Sequence, residues 1–215
     1  METVRRFPWV TLAMLGMAAA CAVASSLPGG GALLEYDRAR VAGGEIWRLL
    51  TAQMVHWTSR MALADLAVLL GLGLWLETTG RLRALLLALA LGAAVTALGV
   101  QFLQPGLAIY RGSSGLAAAL FTLTALEAMR PPAGRAFRVA ACALLLFTAK
   151  VAWETAGGTP LFAGDLPPGV AATPLIHLLG GLAGLAAFEI GLRLEASKVT
   201  PPQAGSSAPT PRPRR

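Results

Sequence analysis

Two short clusters in this 215-residue chain have residue types and spacing suited to acyl transfer. The first is Gly112-Ser113-Ser114-Gly115, placed where a polar connection becomes an apolar run. A serine hydroxyl becomes a nucleophile when a neighbouring base takes its proton. Glycines permit a sharp turn and let a substrate backbone come close. The first N–H groups of a helix have no partner within it, and its dipole favours negative charge, so they can hold the oxyanion of an attacked carbonyl. Gly112, Ser113 and Gly115 are therefore oxyanion candidates around Ser114. A serine at a helix start is more often an N-cap, so this motif alone does not identify a nucleophile.

The second cluster lies in "TPLIHLLGGLAGLAAFEIG", with His177 followed by Gly180 and Gly184. At helical spacing these three residues share a face, and small residues at such intervals let two helices approach closely. An ionisable group inside an apolar run is costly and faces the protein interior, which makes His177 a functional candidate. The chain has one other histidine, His56, so a histidine that activates Ser114 must be one of these two.

The elements that must position these groups are apolar spans. Hydrophobic residues make up 55% of the chain, charged residues 13%, and the mean hydropathy is +0.62, a balance suited to a bilayer rather than to water. A span needs about 20 apolar residues. Six stretches come near that length, at about Phe7–Leu27, Met61–Leu76, Leu82–Leu103, Gly112–Met129, Phe137–Glu154 and Pro174–Leu194. The expected fold is thus an all-α polytopic membrane protein, a six-helix bundle over residues 1–195. Residues 196–215, rich in Pro and Arg, form a tail that cannot build a core.

The net charge of +7 does not indicate nucleic acid, because the basic residues sit at the ends of apolar runs rather than in one patch. With the N-terminus in the cytoplasm, Arg5, Arg6, Arg81, Arg83, Arg130, Arg135, Arg138 and Arg193 all fall inside, and the tail arginines join them. That distribution obeys the positive-inside rule and puts both termini in the cytoplasm. The first stretch has a rival reading as a cleaved signal peptide, since Arg5 and Arg6 precede it and small residues end it. The spans carrying Ser114 and His177 both run from outside to inside, with each residue a few positions in. Nucleophile and base can therefore meet at one depth, near the outer face. Cys21 and Cys142 have no metal-site or disulfide spacing and read as small core residues. No metal or cofactor is called for.

Taken together these residues resemble the rhomboid family, whose motifs are G-x-S-G at the start of the fourth helix and H-x-x-G-x-x-x-G on the sixth. The first external loop is similar too, in "GEIWRLLTAQMVH", where Glu45, Trp47, Arg48 and His56 stand and where Trp47 and Arg48 imply structural roles. "YRGSSG" and "KVAWE" are further similar to the rhombosortase branch, which is thought to act on C-terminal membrane anchors of exported proteins. The resemblance implies an intramembrane serine peptidase with a Ser114–His177 dyad, cutting a membrane-anchored protein substrate in the lipid bilayer at the outer, periplasmic side of a bacterial inner membrane. Lys150 and Glu154, four apart on one helix face, read as a structural ion pair, with a catalytic role as the alternative, and no acid that orients His177 can be named.

One departure stands out. Rhomboids carry H-x-x-x-N at the start of the second span, and here Met61 and Asp65 occupy those places. Met61 cannot donate a hydrogen bond. Asp65 would serve the oxyanion only if protonated, and its competing role is as an ionised partner of Lys150 or Arg111. Two rival functions remain. A rhomboid-fold pseudoprotease would bind membrane clients without cutting them. A small transporter would line its path with Asp65, Lys150, Glu154 and Glu189.

Overall fold

The computed structural model describes residues 7–132, 134–157, 161, 166, 170 and 173–199. Helix α1 (Trp9–Ser26) leads into a long connection containing three short helices, α2 (Gly30–Leu34), α3 (Arg38–Ala42) and α4 (Arg48–Thr51). The bundle continues with α5 (Ser59–Thr78), α6 (Leu82–Leu98), α7 (Ser114–Ala128), α8 (Gly134–Thr155) and α9 (Pro174–Val199). Five helices are long and apolar enough to cross a membrane: α1, α5, α8, α9 and α6 with its π-helical extension to Leu103.

The fourth expected span differs. Helix α7 has 15 residues, about 22 Å at 1.5 Å per residue, against roughly 30 Å of hydrocarbon. It can be short because it is central. Leu116 through Leu120 are all buried, as are Thr122, Leu123, Ala125 and Glu127, so protein rather than lipid surrounds it. Helix α9 continues to Val199, four residues past the boundary expected at 195. Residues 200–215, like Arg5 and Arg6, lie outside the described part.

Close packing of α7 on α9 is the central contact of the bundle. A methyl group added at Gly180 would run into the Gly115 carbonyl, and one at Gly184 into the Ala119 carbonyl. The glycines let the two backbones touch, as their spacing predicts.

Charge is arranged by end. At the end away from Ser114, Glu77 of α5 accepts hydrogen bonds from the Val10 and Thr11 N–H groups, each at 2.9 Å, and so caps α1 from a neighbouring helix. Arg81 and Arg130 both pair with Glu127 and Glu195, tying α7 and α9 to the α5–α6 turn. These pairs anchor the last turns of α9.

The connection after α1 is built against the chain that leads into α7. Strand β1 (Tyr36–Asp37) pairs antiparallel with β2 (Ile109–Tyr110), Tyr36 opposite Tyr110. Arg38 donates to the carbonyls of Val100, Gln101, Gln104 and Leu107, satisfying acceptors of the π-helical turn after α6 and of the loop beyond it. Arg48 is wholly buried, bonded to Glu45 at 2.6 Å and to the carbonyls of Ala32 and Glu35. Its neighbour Trp47 is half exposed.

Candidate active site

Ser114 and His177 line one cavity of about 320 Å³. Ser114 is the first residue of α7, and the N-cap is Ser113, which makes no side-chain capping bond. The capping role expected of a serine here is thus taken by neither hydroxyl. Ser114 is partly exposed, whereas Ser113 is 1% exposed and absent from the cavity wall, so a substrate can reach only Ser114.

The segment that presents Ser114 is held from several sides. Gly112 adopts φ +140°, a conformation open to glycine and strained for other residues. Its N–H donates to the Ala52 carbonyl at 3.0 Å, and its carbonyl accepts from the Tyr110 hydroxyl at 2.9 Å. Burial pushes the Tyr110 phenol well above its ordinary range, so it stays a donor. Arg111 pairs with Glu35 at 2.8 Å and lies over the Trp57 ring at 4.4 Å.

Asp65, on α5, has other partners than those expected. Lys150 pairs with Glu154 and Arg111 with Glu35, while Asp65 Oδ2 accepts from the Ser113 N–H at 3.1 Å and from the Ser113 hydroxyl at 3.2 Å. Its third contact is His56 Nε2 at 3.3 Å. Asp65 thus caps α7 from across the bundle. Two of the expected oxyanion donors are taken by these bonds, the Gly112 N–H by Ala52 and the Ser113 N–H by Asp65. The N–H groups of Ser114 and Gly115 remain as first-turn donors. Met61 lines the cavity wall.

His56 is a member of the site whose role the sequence left unassigned. Its Nε2 lies 3.0 Å from Ser113 Oγ and 3.3 Å from Asp65 Oδ2. This trio resembles a Ser-His-Asp set in composition but not in geometry, because serine and acid meet the same ring nitrogen, whereas a triad places them on opposite ones.

Around His177 stand an acid and a base from α8. Glu154 Oε2 lies 3.3 Å from His177 Nδ1, and Lys150 Nζ lies 3.3 Å from the same nitrogen and 2.7 Å from Glu154 Oε2. The ion pair expected on α8 exists, and it abuts the histidine. Both contacts are to Nδ1, and among the described residues Nε2 has no hydrogen-bond partner. Glu189 is exposed and does not line the cavity, so the four acidic and basic residues of a transport path do not come together.

The family model of the Rhomboid domain matches residues 43–193, most of the chain and all of this site. The chain belongs to the rhomboid family. It is an integral membrane protein of a family whose members are generally intramembrane serine peptidases acting on membrane proteins. Among curated proteins no match to the chain is found.

Proposed function

We propose that the protein is an active intramembrane serine endopeptidase in which Ser114 attacks the scissile carbonyl and His177 is the general base. One observation carries this reading: Ser114 and His177, from two different helices, face one cavity, and among the described residues Nε2 of His177 has no hydrogen-bond partner. His177 takes the Ser114 proton as the acyl–oxygen bond forms, then passes it to the leaving amine as the peptide bond breaks. Water, activated by the same histidine, releases the acyl group. The first-turn N–H groups of Ser114 and Gly115 would hold the oxyanion.

The substrate is a membrane-anchored protein cut near the outer face, the side on which the basic-residue distribution puts the starts of α7 and α9. Likeness of "YRGSSG" and "KVAWE" to the rhombosortase branch favours a C-terminal anchor with small residues at the cut, in a bacterial inner membrane. Unwinding a helix end is least costly at glycine. The pseudoprotease alternative is disfavoured by retention of both catalytic side chains in the same cavity.

Fluorophosphonate labelling of the full chain in detergent tests the reading. Wild-type protein should be labelled and Ser114→Ala should not. Wild-type protein that resists the reagent would point to the pseudoprotease. Comparing secreted with membrane-retained proteins after deletion of the gene tests the substrate class, and no change in any C-terminally anchored protein would count against that part.

A further inference from the structure

A Ser114–His177 dyad leaves the orientation of His177 unexplained. Building on that dyad, we propose that Glu154 is the positioning residue of a Ser114–His177–Glu154 triad, holding His177 in the tautomer with its proton on Nδ1 and its lone pair on Nε2.

Three observations support this. Glu154 comes from α8 and His177 from α9, yet Oε2 reaches Nδ1 at 3.3 Å. The Glu154 side chain is only 3% exposed, so its position is fixed by the protein rather than by solvent. Both oxygens are held, Oε2 by Lys150 Nζ at 2.7 Å and Oε1 by the Leu161 N–H at 3.1 Å. A surface i,i+4 pair needs neither the histidine nor the backbone donor.

The chemistry depends on which group wins Nδ1. A carboxylate only accepts hydrogen bonds, so Glu154 requires a proton on Nδ1 and leaves Nε2 as a base. An ammonium only donates, so Lys150 acting alone would place the proton on Nε2, where it cannot accept another from Ser114. The shorter contact of Lys150 is to the carboxylate, 2.7 Å against 3.3 Å to the ring. Lys150 therefore keeps Glu154 ionised, and Glu154 sets the tautomer. Once Nε2 takes the serine proton the ring is an imidazolium, which the carboxylate stabilises and a lone ammonium would oppose. The proton travels from Ser114 Oγ to Nε2 to the leaving amine, and Glu154 keeps its charge throughout.

The test uses the full chain labelled with ¹⁵N-histidine in detergent. With two histidines in the sequence, the His177 signals are identified by their loss in His177→Ala. At a pH where the ring is neutral, the wild-type protein should show Nδ1 protonated, and a proton on Nε2 would overturn the proposal. In Glu154→Gln, which keeps the shape, kcat should fall by at least about 100-fold with KM nearly unchanged, because a base in the wrong tautomer cannot accept the proton. Glu154→Asp should retain more activity than Gln. A Gln variant with wild-type kcat would also refute the triad, and the wild-type spectrum decides the matter alone if that variant does not fold. Loss of activity in Ser114→Ala with none in Glu154→Gln would leave the dyad standing and remove only the triad.

Discussion

Replacing Gly180 with alanine tests whether α7–α9 contact sets the catalytic geometry. The new methyl would lie 3.0 Å from Ala118 Cβ and would overlap the Gly115 carbonyl. Carbon atoms pack best at about 3.5–4.0 Å, so the Ala118 contact alone calls for a separation of about 0.5–1 Å, and the carbonyl overlap for more. Gly115 directly follows Ser114, so that shift moves the proposed nucleophile away from His177. Overpacking of this kind costs about 1–3 kcal/mol of stability. A displacement of about 1 Å in a reacting pair can lower the rate roughly 100-fold. The control is Gly191→Ala, since a methyl there meets nothing within 4 Å and should be neutral or stabilise by up to about 1 kcal/mol through helix propensity. Fluorophosphonate labelling rates give the activity and thermal melts in one detergent give the stability. A Gly180→Ala protein that labels and melts like wild type would refute the claim that the glycine contact positions the site.

The same geometry sets three other outcomes. Ser113→Ala removes a buried hydroxyl bonded to Asp65 and His56, and should cost about 1 kcal/mol with labelling retained; if instead Ser113 were essential and Ser114 dispensable, the nucleophile would have to be reassigned. Asp65→Ala strands the buried Ser113 N–H and should lower stability by about 1–3 kcal/mol in thermal melts, whereas Asp65→Asn keeps an acceptor and should stay near wild type. Arg48→Met leaves the carbonyls of Ala32 and Glu35 without their donor, and a loss of at least about 2 kcal/mol is expected in the same melts.

The membrane class and five of the six expected spans were legible from the chain itself, because a bilayer core rewards any run of about 20 apolar residues whatever its neighbours are. The shared face of His177, Gly180 and Gly184 was legible for a local reason as well: helical spacing fixes which residues of one helix lie together before any partner is known. The loop chemistry was not legible. Which carbonyls Arg38 and Arg48 bind, and that Ala52 takes the Gly112 N–H, depend on contacts between residues far apart in sequence. Glu154 lay between these cases. It stands near the end of its span that the charge distribution assigns to the outer side, as His177 does, so expected depth alone made the two possible neighbours. Whether the carboxylate turned to His177, to Lys150 or to both depended on the rotation of α8 about its axis, which its apolar sequence fixes only loosely. The same holds for Asp65, for which the sequence suggested an oxyanion or a cation and whose partners are a backbone N–H and hydroxyl of Ser113 and the ring of His56. Residue type and period determine what a side chain can do and how deep it lies, while helix rotation and close backbone approach decide which partner it meets.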